Sequence, residues 1–492
     1  MESSRKNPII LLVLILLFAY GLRVMVLASA DISNDEALTY LRVFNFFEVQ
    51  TPWTPVLRTR HLVHTLLLQG WLPFADHEMA IRYPSVLFGV LSIAVAYQVG
   101  RKLDGERVGL LATVMLSVLP LHVYYSHYLK QYAILAFLAM VALWALLTVT
   151  RGGATPRRLA LIAYPVSVVL LTSLHIFMSV WIAVQSLYLI IVWWLKRERD
   201  LLVMWIAAHA WGFMTAMALL IPDLLQEGGT LENFKRPELA ALQEINNRGL
   251  GTQSFIGGDF SPVPDLIQWG VMLALLAAFV FPLVRERETD RLGRVALLVG
   301  LVFIPPLLFF SVSHVWRAMY AVRYVVLSIW TLTLLASLVL ARFRYGWASQ
   351  IVAGYLIVAS VYNVGQYHVD SRGYSPYEQW HEPLTYLQEH IQEGDYVVCR
   401  KTAICTLYGR HLDFAYAVDK DAIKDQINWT DADALHSAVQ SNERTWVFWA
   451  RRWRPGPEQL LAEQPGVVML EHVEYPWMDL YLYAYDDSAT GP

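Results

Sequence analysis

Apolar runs follow one another from Pro8 to Val364, most close to the length of about 20 residues that carries a helix across a bilayer. They are Pro8–Leu27, Pro84–Gly100, Val108–Leu121, Tyr132–Val149, Leu159–Leu174, Ser179–Leu195, Leu201–Pro222, Ile267–Val284, Val295–Val312, Tyr324–Ala341 and Ala348–Val364. About eleven spans are therefore predicted. The run Leu62–Phe74 is too short to cross and contains His64, Gln69 and Gly70, which predicts a helix lying in the interface. Glu36–Phe47 places Leu38, Leu41 and Phe44–Phe47 at helical spacing. That predicts an amphipathic interfacial helix, broken at Thr51-Pro52-Trp53-Thr54-Pro55.

Beyond Val364 the pattern turns polar. Glu378–Gln392 and Asp431–Gln440 read as helices. Tyr396–Cys399, Thr445–Ala450, Gly466–Leu470 and Asp479–Ala484 read as strands from their β-branched and aromatic content or their alternation. The fold class is an α-helical polytopic membrane protein with a C-terminal soluble α/β domain. Residues 1–364 form the membrane domain, with outer loops at 28–83 and 223–266, and residues 365–492 form the soluble domain. The loop Asp223–Leu266 is rich in glycine, either a lid over a cavity or a surface connection.

Composition agrees: 56% of residues are hydrophobic and 16% charged, against about 25% charged in soluble domains. A net charge of -3 gives no footing for nucleic acid. Pro8–Leu27 lacks a small-residue cleavage site and is read as a retained span. Alternate connections are basic: Arg5-Lys6, Arg101-Lys102 with Arg107, Arg151 with Arg157-Arg158, Lys196-Arg197 with Arg199, Arg285 to Arg294, and Arg342 with Arg344. By the positive-inside rule the N-terminus is cytoplasmic. Asp35-Glu36, Lys130, His175, Arg323 and the C-terminal domain then share the extracytoplasmic side of a plasma (inner) membrane. The two cysteines, Cys399 and Cys405, either pair in an oxidising compartment or stay buried thiols.

Ionisable groups at one mouth of a bundle are candidates for function. Asp35-Glu36 follow the first span; the bland reading is a solvated flank. Lys130 precedes one span, in Tyr124-Tyr125-Ser126-His127-Tyr128-Leu129-Lys130-Gln131-Tyr132, and Arg323 precedes another, in Val322-Arg323-Tyr324. Each is either an interface anchor or, with its aromatic neighbours, half of a clamp on a phosphate diester. His175 sits in a short turn, where it either caps a helix or touches phosphate. A phosphate leaves readily once its charge is neutralised. One carboxylate base and one or two cations therefore suffice to transfer a sugar from a lipid phosphate, whereas glycoside hydrolysis needs two carboxylates.

At these residues the chain resembles the polyprenyl-phosphate-sugar glycosyltransferases of the GT-C fold, in particular the protein O-mannosyltransferase-like branch that includes transferases decorating lipid A. The likeness runs from about Leu22 to Gln392. It rests on Asn34-Asp35-Glu36-Ala37, on Ala80-Ile81-Arg82-Tyr83-Pro84-Ser85-Val86-Leu87-Phe88-Gly89, on Pro120–Ser126 with Lys130 and Tyr132, on Leu174-His175 and on Arg323-Tyr324. The resemblance implies that Asp35 is the catalytic base and that Glu36 orients the acceptor. It implies that Lys130, Arg323, Tyr132 and His175 bind the donor phosphate, with His61, His64 and Arg82 as acceptor or loop candidates. The donor is then a polyprenyl-phosphate sugar and the acceptor a glycan, lipid or protein hydroxyl. No cofactor is implied. Tyr128 stands where the family often has an acidic residue, so that position offers no carboxylate to a metal. His61-Leu62-Val63-His64 replaces the family's His-Pro-Pro, which points to a different acceptor. The competing readings are a secondary transporter, which the chain's lack of an internal repeat disfavours, and a ligase or flippase-like protein handling lipid-linked glycans.

Overall fold

The computed structural model describes residues 6–25, 27, 31–44, 62–75, 78–151, 157–225, 236–252, 288–316, 318–342, 346–369, 380–392, 394–399, 432–450, 455–475 and 478–486, with single residues or pairs between 270 and 285 and at 404 and 407. The chain divides into two units: Met1–Ala28 with Phe46–Val369, and Ser29–Asn45 with Asp370–Pro492.

The first unit is a helical bundle. Each expected span except one is a helix: Lys6–Val24, Glu78–Asp104, Glu106–Val118 continued by Pro120–His127, Tyr132–Arg151, Arg157–Leu174, Met178–Lys196, Arg199–Leu225, Thr289–Val315, Val326–Arg342 and Gly346–Val369. Most of the remaining one, Ile267–Val284, lies outside the described residues. Among the described residues, six helices are long and apolar enough to cross a membrane by length and composition, or seven with the bent pair. Tyr132–Arg151 is apolar on every side and buried along most of its length, so it forms the middle of the bundle. Leu62–Trp71 is the short helix expected at the interface. Trp71 Nε1 donates to the Ala80 carbonyl at 2.7 Å, and its ring stacks 6.1 Å from Tyr83, which pins that helix to the next span.

One span is broken, and the sequence explains where. Pro120 has no N–H to offer the Leu116 carbonyl, and the chain turns by 61° between Glu106–Val118 and Pro120–His127. Carbonyls freed inside a bilayer must find other donors. Arg23, fully buried in the first helix, supplies them. Its Nη1 donates to Ser117 O at 3.1 Å and Ala19 O at 2.8 Å, and its Nη2 to Leu116 O at 3.4 Å. Its Nε reaches Ser126 Oγ at 3.1 Å and its Nη2 reaches His122 Nδ1 at 2.9 Å. A guanidinium only donates, so His122 Nδ1 accepts and Nε2 carries the proton. That proton points at Ser92 Oγ, 2.9 Å away, and Ser92 donates on to Gly89 O at 2.7 Å. Gly89 is required here, since a Cβ would fall 2.2 Å from Ser126 Oγ.

The long connection after Arg199–Leu225 is not simply a surface loop. It contains the helix Ala240–Leu250, whose residues Ile245–Leu250 are buried. Gly251 ends it at φ +75, with the Ser360 hydroxyl where a Cβ would stand. Tyr320 Oη donates to Ala241 O at 3.0 Å, Thr333 Oγ1 to Gly249 O at 2.7 Å, and Asn363 Nδ2 to Gly251 O at 3.0 Å. The apolar periodicity is weak because polar side chains of neighbouring helices hold the backbone. Residues 226–235 and 253–266 lie outside the described residues.

The second unit is an α/β domain. Its sheet has the order β1-β2-β4-β3, where β1 is Tyr396–Cys399, β2 Arg444–Ala450, β3 Val467–Glu474 and β4 Met478–Tyr485. The β1–β2 pair is parallel, with Val398 opposite Val447, and the other pairs are antiparallel. Ala432–Gln440 covers one face, packing Leu435 and Val439 on Val398, Val447, Trp449 and Tyr481. Asp395 closes the loop before β1, accepting from Trp446 Nε1 at 2.8 Å and pairing with Arg444 at 3.2 Å. Cys399 is disulfide-bonded, which decides for pairing over free thiols; the chain's other cysteine, Cys405, lies outside the described residues.

Candidate active site

The acidic motif belongs to the second unit and opens the helix Asn34–Phe44. Ser33 and Glu36 cap it reciprocally. Ser33 N–H donates to Glu36 Oε2 at 3.0 Å, and Glu36 N–H donates to Ser33 Oγ at 3.3 Å. This Ser-x-x-Glu box satisfies two amide groups that the helix start leaves open. Glu36 is thereby fully buried, while Asp35, one residue earlier, is exposed. Ala37, Tyr40 and Leu41 form the buried stripe at helical spacing. The structure gives Glu36 a capping task and leaves Asp35 as the accessible carboxylate of the pair.

The cationic candidates belong to the first unit, each at a turn that opens a span. Lys130 lies in the turn between Pro120–His127 and Tyr132–Arg151, where its N–H donates to Tyr128 O at 2.7 Å. Ser85 Oγ holds the same carbonyl at 2.9 Å, so the segment Ala80–Gly89 helps to fix the turn. Arg323 occupies the single 3-10 turn Val322–Tyr324 and is exposed, with its guanidinium 5.3 Å from the Tyr324 ring. His175, in the turn before Met178–Lys196, has its ring 5.2 Å from that same tyrosine. Phe177 packs against it too, at 4.3 Å. Two turns far apart in sequence thus meet at Tyr324.

Tyr125 joins them to the outer motif. Its ring lies 4.3 Å from Tyr132 and edge-on to Trp330 at 6.3 Å. Its electrostatic surroundings are Arg248, Arg323 and Glu244. Tyr132 therefore packs against a tyrosine on which Arg323 acts electrostatically. Arg248, which the sequence reading did not single out, belongs with them. It stands on the buried helix Ala240–Leu250 and is held by Glu244, whose Oε1 accepts from its Nε at 2.9 Å and also from Nη2. The signal was the i,i+4 pair Glu244 and Arg248 followed by a glycine cap. It was hidden inside a segment read as a loop.

Two of the remaining candidates are buried. Arg82 is fully buried and lies in the electrostatic surroundings of His127. The His127 ring stacks on Tyr367 at 5.7 Å and its Nδ1 lies 3.0 Å from that hydroxyl. His64 is buried on the interfacial helix, and His61 lies outside the described residues. Among the described residues no three His, Cys, Asp or Glu side chains gather in a way that would hold a metal ion.

Residues 71–225 match the family model of dolichyl-phosphate-mannose-protein mannosyltransferases. No curated protein sequence matches the chain. Among solved structures, ArnT from Cupriavidus metallidurans in the apo state superposes with a TM-score of 0.60 at 15% identity, over 99% of this chain and 100% of that one. The same protein bound to undecaprenyl phosphate gives 0.56 at 15% identity, over 98% and 99%. The archaeal oligosaccharyltransferase AglB from Archaeoglobus fulgidus, in complex with an inhibitory peptide and a dolichol-phosphate, gives 0.51 at 11% identity, over 99% of this chain and 75% of that one. The chain is an integral membrane protein with the GT-C fold of these structures, and its residues 71–225 are similar to the protein mannosyltransferase family model.

Proposed function

We propose that the protein is an inverting membrane glycosyltransferase that moves a sugar from a polyprenyl-phosphate donor to a hydroxyl acceptor on the outer face of the membrane. The observation that carries this reading is the meeting of Arg323 and His175 at Tyr324 and of Tyr132 with Tyr125, a tyrosine on which Arg323 and Arg248 also act electrostatically. Cations among aromatic rings at the mouth of a bundle suit a phosphate diester whose lipid tail stays in the bilayer. Lys130, at the adjoining turn, adds positive charge. The family match supports a lipid-phosphate sugar as donor, and an undecaprenyl phosphate or a dolichol-phosphate is bound by the fold relatives.

In this mechanism the cations take up the charge that grows on the departing phosphate. Asp35 accepts the proton of the acceptor hydroxyl as oxygen attacks the anomeric carbon from the opposite face. The C–O bond to phosphate breaks as the new C–O bond forms, so the anomeric configuration inverts. The exposed Asp35 suits that role better than Glu36, whose carboxylate is committed to the helix cap. The topology follows the alternating basic loops: the N-terminus is cytoplasmic, and the motif-bearing turns and C-terminal domain are extracytoplasmic.

The test is release of free polyprenyl phosphate by purified protein from polyprenyl-phosphate sugars, with Asp35→Asn beside the wild type. Asp35→Asn keeps size and hydrogen bonding but removes the base. It should fold and bind donor while transfer falls by a factor on the order of a hundred or more. Translocation of intact donor without its cleavage would favour the flippase reading instead. Near-normal transfer by Asp35→Asn would move the base elsewhere.

A further inference from the structure

The helix His381–His390 starts without a cap of its own. Its N-cap residue is Trp380, whose indole makes no capping bond. The open amides are satisfied from the far end of the chain. Asp31 Oδ2 accepts from Trp380 N–H at 2.7 Å and from His381 N–H at 3.1 Å. A carboxylate at a helix N-terminus also meets the positive end of the helix dipole. The same short segment carries the acidic motif: Asp31 stands two residues before Ser33, which opens the capping box with Glu36. Between the borrowed cap and Asp35 lie three residues, of which Ile32 and Ser33 are buried.

The capped helix is itself fixed to the sheet. The Trp380 ring is 6.4 Å from Phe448 on β2, Leu384 and Leu387 are buried, and Tyr386 Oη donates to Glu471 on β3. A continuous path therefore runs from the sheet through Trp380 to Asp31 and on to the Asp35-bearing helix. It accounts for why Ser29–Asn45 groups with Asp370–Pro492 instead of with the bundle that flanks it in sequence.

We infer that Asp31 is a positioning residue, and that the C-terminal domain serves as the mount for the helix that carries Asp35. The catalytic part of this inference rests on the transferase reading above; the tether itself does not. Loss of the Asp31 cap lets the Asn34–Phe44 helix move on its mount and misplaces the Asp35 carboxylate, without touching the donor cations. Turnover should then suffer while donor KM stays.

The experiment uses the full chain in detergent and compares Asp31→Ala with Asp31→Asn. Asparagine keeps an acceptor oxygen for the two amides and is a good capping residue; alanine has none. Amide hydrogen exchange is followed over 34–44 and 381–390, with Glu78–Asp104 as internal reference. Asp31→Ala should exchange about fivefold faster in both segments and not in the reference, and Asp31→Asn should stay near wild type. With a polyprenyl-phosphate sugar as probe, kcat should fall in Asp31→Ala at unchanged donor KM, and Asp31→Asn should restore it. Unaltered exchange in Asp31→Ala overturns the tether. An Asp31→Asn protein with wild-type exchange but turnover as low as Asp35→Asn also overturns the inference, because Asp31 would then act by its charge. If Asp31→Ala does not accumulate, Asp31→Leu, close in size and without an acceptor, carries the same measurements. Exchange reads the tether even if wild type releases no polyprenyl phosphate, so the failure of the transferase reading is told apart from the failure of this one.

Discussion

Replacing Arg23 by methionine removes the clip at the broken span while keeping most of its length. Three buried acceptors are left unpaired: the carbonyls of Leu116 and Ser117, and His122 Nδ1; Ser126 Oγ also loses its bond from Arg23 but still donates to His122 O. Ala19 O is not counted, because it lies within the same helix as Arg23 and can take the helix ladder bond. Each buried acceptor left unpaired costs about 1–3 kcal/mol, hence roughly 3–9 kcal/mol for three. Against this, the variant no longer holds a cation inside the membrane, which relieves about 3 kcal/mol. At mid-range the net loss is about 3 kcal/mol. Unfolding of the detergent-solubilised protein, followed by the fluorescence of its 18 tryptophans, should shift clearly towards milder conditions. Arg23→Lys should not rescue it, since one ammonium cannot reach acceptors on both sides of the 61° break as a fork does. Wild-type stability in Arg23→Met would refute the argument. Full rescue by lysine would mean that charge, not the geometry of the fork, holds the break.

Glu36→Gln should keep the capping box and near-normal stability, whereas Glu36→Ala should lose about 1 kcal/mol, read by denaturant or thermal unfolding; an alanine variant that is fully stable but inactive would return Glu36 to acceptor binding. Lys130→Ala, Arg323→Ala and Arg248→Ala should each weaken transfer by about two orders of magnitude, measured as kcat/KM with a polyprenyl-phosphate sugar, and an Arg248→Ala protein of normal activity would remove that residue from the site. Tyr386 donates to the Glu471 carboxylate, and that bond holds its hydroxyl pKa up to about 12. A raised folded pKa stabilises below the unfolded value near 10 and is lost as pH climbs through the folded one. The domain should therefore loosen between about pH 10 and 12, and Glu471→Gln should bring tyrosinate absorbance in at lower pH.

The spans and strands were legible because each depends on a short-range pattern. A membrane helix needs only length and apolar content, so Tyr132–Arg151 and Thr289–Val315 stand out in the sequence. β2 and β4 show the aromatic and β-branched content of a buried sheet, and Trp446, Phe448, Leu480 and Leu482 are buried as that content implies. The helix Ala240–Leu250 escaped for the opposite reason. It buries asparagines and an arginine, and its backbone is held by hydroxyl and amide groups of residues more than seventy positions away. No local periodicity reports a helix whose environment is polar and non-local.

The chemistry divides along the same line. Lys130, His175 and Arg323 were found because a cation or histidine beside an apolar span is conspicuous wherever it packs. Arg23 is equally conspicuous as a residue, yet its task follows from Pro120, ninety-seven residues later, and only the fold brings the two together. Asp31 is a stronger case. In sequence it is one more acid at the end of a span, and its partner amides belong to residues 380 and 381. Glu36 is the fourth residue of a Ser-x-x-Glu box, a helix-start signature that the sequence reading passed over in favour of its acidic neighbour. Two acids side by side invite a shared catalytic role. The cap separates them: one carboxylate is spent on the helix that presents the other. An exposed acid on a rigidly started helix, itself mounted on a folded domain, suits the proposed role of base, because proton transfer depends on a fixed distance.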